Sequence, residues 1–183
     1  MKCLPLILAT LTFSLFSAYA ENPNIVIILV DDMGYGDLKV YNPASKIATP
    51  HLDEMASEGM AFTDAHAPGP LCHVSRYGLM TGTFPFRTNV QVWPTEPVIK
   101  EEEETVAELL LRNGYTTAMV GKWHLGFDEK DGYGNPLPGG PFHQGFESYF
   151  GIRASTDIPP YFYIRDDEAV MPPTEEIEAR NTE

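Results

Sequence analysis

The sequence predicts an α/β domain built on a mainly parallel sheet flanked by helices. Three observations carry that prediction: an unbroken aliphatic run at residues 25–30, a capped helical pattern after it, and a second helix followed by a strand further along. In sheets of this kind functional groups gather beyond the carboxyl ends of the strands, so the segments after each predicted strand become the places to look for chemistry.

Residues 25–30 read as a strand buried on both faces, because continuous β-branched and aliphatic residues suit a parallel-sheet interior. Asp31-Asp32-Met33-Gly34 ends it in a turn. Thr49-Pro50 then places a capping residue before a proline at the first helical position. Leu52, Met55 and Ala56 follow at helical spacing, and Gly59 stops the helix. Residues 60–62 read as a second strand. After the loop Ala67-Pro68-Gly69-Pro70, residues 74–80 predict a short helix closing at Gly82, with Cys72 at its N-terminal end. Residues 101–113 predict an amphipathic helix with acids in its first turn, Val106, Leu109 and Leu110 on one face, and Gly114 as stop. Residues 115–120 complete the alternation as a strand. The Gly- and Pro-rich stretch 131–141 reads as an irregular loop, and the acidic tail from Asp166 shows no strong periodicity.

Residues 1–20 carry the marks of an export signal, namely Lys2, an apolar stretch and small residues at Ala18 and Ala20, which leaves 21–183 as one domain. The apolar stretch is short and lacks a stop-transfer pattern, so no membrane anchor is expected. Loss of Lys2 leaves 11 basic against 26 acidic residues, a formal charge of −15. Such a chain repels polyanions, and no basic stripe offsets this, which disfavours nucleic-acid binding. Cys72 would be the single cysteine of the exported chain, since Cys3 leaves with the signal. A lone thiol in an oxidising compartment is buried and inert, paired between chains, or kept for its chemistry.

Asp31 and Asp32, adjacent after a buried strand, point to a hard divalent cation; otherwise one caps the turn and the other is solvated. Arg76 lies one helical turn beyond Cys72, so the two share a face, where a guanidinium near a thiol at a helix N-terminus would activate it. The plain alternative is a small buried cysteine and a surface arginine. Ser75 has no base close in sequence and reads as a local hydrogen-bonding group. Lys122 and His124 bracket Trp123 at a strand end and supply a permanent cation and a proton carrier. His51, His66 and His143 read as ordinary structural histidines, and His73 as pointing away from the pocket. Ser155, Asp157 and Tyr161 lie in an irregular stretch near where a leaving alcohol would sit.

Together, the run from Val30 through Asp37, the segment Cys72-His73-Val74-Ser75-Arg76 continuing to Leu79-Met80-Thr81-Gly82, the run from Gly114 through Gly126 and Gly145-Phe146-Glu147-Ser148-Tyr149-Phe150-Gly151 resemble the type I, arylsulfatase-like sulfatases. The resemblance implies the alkaline phosphatase-like fold, with residues 21–183 as the N-terminal part of the catalytic domain. It implies that Asp31, Asp32 and the modified Cys72 hold Ca²⁺, and that Cys72 becomes formylglycine (3-oxoalanine) through a separate maturation enzyme. In the implied reaction one hydroxyl of the hydrated aldehyde attacks sulfur while Arg76 and Lys122 stabilise the sulfuryl oxygens. The second then expels sulfate, with His124 handling protons. The expected substrate is a sulfated carbohydrate or small aryl sulfate, and the expected destination periplasmic, extracellular or lysosomal. Two features depart from the pattern: Val74 stands where the family's Cys-x-Pro-x-Arg motif has Pro or Ala, and nothing after His124 resembles the family's remaining metal ligands. The competing readings are a phosphodiesterase or phosphonate hydrolase of the same superfamily, and a catalytically incomplete fragment or pseudoenzyme.

Overall fold

The computed structural model describes residues 22–88, 90 and 94–178. The predicted signal at 1–20 lies outside the described residues. The chain divides into two compact units, Met1–Gly34 and Tyr35–Glu183.

In the first unit, residues 22–30 carry no secondary structure, and residues 25–30 are exposed, Val26 by 81%. This corrects the expected buried strand. A strand exists as part of a hydrogen-bonded ladder, and among the described residues no strand pairs with this segment.

The second unit contains α1 (Pro50–Glu58), α2 (Cys72–Thr81), α3 (Val106–Arg112), and strands β1 (Ala118–Lys122), β2 (Ser148–Ile152), β3 (Tyr163–Arg165) and β4 (Glu168–Ala169). α1 begins at Pro50 behind Thr49 and ends at Gly59, as the cap residues predict. α2 closes on Gly82 in the left-handed conformation, φ 65°, where glycine carries no Cβ penalty. Residues 60–62 form no strand and are exposed. α3 starts later than the sequence pattern suggested. Thr105 and Glu108 form a reciprocal capping box, and the preceding carboxylates stay outside the helix in a turn.

The four strands lie side by side in sequence order. β1 and β2 run parallel, with Val120 opposite Phe150 and Gly121 opposite Gly151, whereas the β2–β3 and β3–β4 pairs are antiparallel. The sheet among the described residues is therefore mixed rather than mainly parallel. The links after β2 and β3 are too short for a crossover, and only the long excursion between β1 and β2 permits a parallel return. Asp166 makes the β3–β4 turn at φ 57°, which aspartate tolerates, and its carboxylate and amide both bond the Tyr149 backbone. The core unites Tyr77 and Met80 of α2, Ala107 of α3, Tyr149 and Ile164 of the sheet, and Trp123, Leu125 and Phe127 from the excursion.

Candidate active site

α2 sets the first part of the site. Its first residue is Cys72, a half-buried free thiol, and Arg76 follows one turn later, also half-buried. The loop before the helix is clamped to it. Ser75 Oγ donates to the Gly69 carbonyl at 2.7 Å, confirming its local role. A Cβ on Gly69 would come within 2.6 Å of Val74 Cγ2, and one on Gly78 within 2.5 Å of Pro68 Cγ, so glycine at both positions allows loop and helix to touch. Val74 thus sits inside α2, packed on Gly69.

The carboxyl end of β1 sets the second part. Lys122 is the last strand residue. Trp123 and His124 continue along the neighbouring chain, their amides donating to the carbonyls of Ile152 at 3.1 Å and Arg153 at 2.9 Å. His124 holds φ 61°, a left-handed conformation uncommon for a residue with a side chain. Trp123 turns into the core, 1% exposed, and its indole donates to the Gly126 carbonyl at 3.0 Å.

The two parts meet directly. Arg76 Nη1 donates to the backbone carbonyl of Lys122, and the buried imidazoles of His73 and His124 lie with ring centroids 5.7 Å apart. The fold thereby brings together Arg76, Lys122 and His124, three of the predicted residues, from segments 46 or more positions apart. His73, read from the sequence as pointing away from the pocket, is buried with its ring near that of His124. The Lys122 ammonium donates to Ser155 Oγ at 2.6 Å. Ser155 is therefore attached to the site through Lys122, a partnership that no local pattern signals; its one sequence clue is its place shortly after the Gly151 run.

Tyr149 was not singled out as functional. It is 2% exposed, with its hydroxyl 3.0 Å from the carbonyls of both Gly121 and Ile152. Burial raises its pKa above the ordinary 10.0, and the nearby Arg76 charge opposes that rise only in part. Asp31 and Asp32 belong to the first unit, where both are exposed and Asp32 holds φ 58°. Asp157 and Tyr161 are exposed. His51 and His66 are exposed beside Glu54 and Asp64, and His143 pairs with Asp167 at 3.8 Å.

The end of β1 and helix α2 thus bring an arginine, a lysine and a histidine together in the candidate site, on an alkaline phosphatase-like fold. The sulfatase family model matches residues 23–183, and the chain belongs to that family. It is 44% identical to human arylsulfatase A over 147 residues, 78% of this chain and 28% of the relative. It is 36% identical to an N-acetylgalactosamine-6-O-sulfatase of Bacteroides thetaiotaomicron over 156 residues, 82% of this chain and 30% of the relative. A solved structure from work on glycosaminoglycan metabolism by that bacterium superposes with a TM-score of 0.70 at 36% identity, covering 76% of this chain and 30% of the other. Ps i-CgsB, at 24% identity and a TM-score of 0.65, covers 82% of this chain and 37% of its own and supports the fold. The chain thus spans about 30% of the length of the curated relatives it matches. Among the described residues no helix is long and apolar enough to cross a membrane.

Proposed function

We propose that the protein is an exported sulfuric ester hydrolase, releasing sulfate from a sulfated carbohydrate or aryl sulfate, with Cys72 as the precursor of its formylglycine. The observation that carries this reading is the bond from Arg76 to the Lys122 carbonyl, which ties the helix that begins at Cys72 to the end of β1, so that the segments bearing two permanent cations, Arg76 and Lys122, are joined. A sulfate ester presents oxygens that such a pair complements, and the relatives named as arylsulfatase A and N-acetylgalactosamine-6-O-sulfatase support the same substrate class.

Asp31 and Asp32 suit Ca²⁺ by the chemistry of their donors: adjacent exposed carboxylates repel each other until a hard cation or solvent offsets the charge. With the oxygen of a converted Cys72 they would form part of its ligand set, and a cation with an appetite for six to eight oxygens takes further ligands from elsewhere. When bound and formed, Ca²⁺ and formylglycine supply charge neutralisation at the sulfuryl oxygens and the nucleophile for sulfur.

The chain's own residues do the rest. Arg76 and Lys122 bind the sulfuryl oxygens and stabilise the charge that grows on them as the ester bond breaks. Ser155 holds the Lys122 ammonium in one orientation. His124, buried and fixed through its backbone to Arg153, moves protons to and from the reacting oxygens. The residue 1–20 signal would direct the chain to the periplasm or outside, or to the lysosome in a eukaryotic host.

The test is co-expression with a formylglycine-generating maturation enzyme, followed by mass spectrometry of the Cys72 peptide and rates on matched nitrophenyl sulfate and phosphate esters. Conversion of Cys72, a preference for the sulfate ester and inhibition by a Ca²⁺ chelator are expected. An unmodified thiol, or faster turnover of the phosphate ester, would sink the reading.

A further inference from the structure

The proposed site leaves unexplained a buried phenol that touches the backbone beneath it. Tyr149 belongs to β2, yet its hydroxyl reaches across the parallel pair to the Gly121 carbonyl of β1, 3.0 Å away. Gly121 immediately precedes Lys122. The next carbonyl along, that of Lys122, accepts from Arg76. Two consecutive carbonyls at the carboxyl end of β1 are therefore held by side chains from two other elements, one from α2 and one from β2.

The phenol has a second acceptor, the Ile152 carbonyl, also at 3.0 Å. A hydroxyl carries one proton and here faces two carbonyls at the same distance, and of the two it is the Gly121 carbonyl whose peptide leads into Lys122. Geometry protects this meeting. A Cβ on Gly151 would lie 1.8 Å from the Gly121 oxygen and 2.7 Å from the Tyr149 hydroxyl, so glycine at 151 opens the space in which the two groups meet. Burial keeps the phenol protonated, hence a donor, through the range in which the protein works.

We propose that Tyr149 is a positioning residue for the sulfate-binding cations: by donating to the Gly121 carbonyl it fixes the peptide that leads into Lys122, and so aims the Lys122 ammonium and the carbonyl that anchors Arg76. The inference rests on the sulfatase reading of the site. It assigns to one hydroxyl a role in catalysis without contact with substrate.

Tyr149→Phe removes that hydroxyl and keeps the ring in the core. The expected result is a kcat lower by about three- to tenfold, the change that one neutral hydrogen bond supports, with KM within about twofold. The carbonyl-carbon resonance of Gly121 in the same variant is expected to shift upfield as its hydrogen bond is lost, a signature independent of turnover. Lys122→Ala serves as the reference and is expected to abolish most activity. If Lys122→Ala is crippled while Tyr149→Phe turns over normally, or if the Gly121 resonance stays in place, the positioning role is overturned and the sulfatase reading stands. Full activity in Lys122→Ala would overturn both.

Discussion

Arg76 does two jobs at once, since its guanidinium is a fixed positive charge and also the donor that ties α2 to the end of β1. The two jobs separate by substitution. Arg76→Ala removes both and is expected to lower kcat/KM for an aryl sulfate by about 10²- to 10³-fold, the range seen when one donor to a developing oxyanion is lost. Arg76→Lys keeps the charge but replaces the planar fork with a single ammonium, which reaches the Lys122 carbonyl or the sulfuryl oxygens, not both. Its steady-state rates are expected to fall between those of the wild type and Arg76→Ala; a lysine variant no better than alanine would show that the fork, not the charge, is decisive.

Helix α3 shows how a local device overrides a broader pattern. The acidic run at residues 101–104 resembles a first helical turn, yet the helix begins only after Thr105. There the threonine hydroxyl accepts from the Glu108 amide at 3.1 Å while the Glu108 carboxylate accepts from the Thr105 amide at 2.7 Å. Thr105 is 1% exposed and also donates to the Gln144 carbonyl at 2.8 Å, so its hydroxyl joins the helix start to the chain just before β2. Thr105→Ala loses the cap and leaves a buried carbonyl without that donor. A destabilisation of about 1–2 kcal/mol is expected, read as a lowered midpoint in urea at constant slope. Thr105→Ser, which keeps the hydroxyl, is expected to recover most of it.

At the level of the whole molecule, three tyrosines respond to burial in the same direction. Tyr149, Tyr77 and Tyr133 all have pKa values raised above 10.0, chiefly by desolvation, and for Tyr77 and Tyr133 also by hydrogen bonds to Glu103 and Glu129. A folded pKa above the unfolded one means that the folded state keeps its phenol protons after the unfolded chain has lost them. The associated stability is complete below pH 10 and declines as pH rises further. Thermal midpoints are therefore expected to fall above pH 10, and the ionisation of these three phenols to lag until unfolding. The decline is expected to be shallower in Tyr149→Phe.

Much of this protein is legible in its sequence because the signals are local. Thr49-Pro50 and Gly59 bound α1, Gly82 ends α2, and the motifs around Cys72, Arg76, Lys122 and His124 identify the family from residues near one another along the chain. The Thr105–Glu108 box was equally legible, although the acidic run before it masked the start of the helix. What sequence periodicity misjudged was pairing. Residues 25–30 and 60–62 have the composition of strands but no ladder among the described residues, and the sheet acquired antiparallel partners because its later links are short. The contacts that turn separate motifs into a site were likewise decided only by tertiary structure: Arg76 on the Lys122 carbonyl, His73 against His124, Ser155 on the Lys122 ammonium and Tyr149 beneath Gly121. Each joins residues from different segments, and a one-dimensional pattern records the neighbours of a residue along the chain, whereas these contacts depend on which chain segments the packed core brings together.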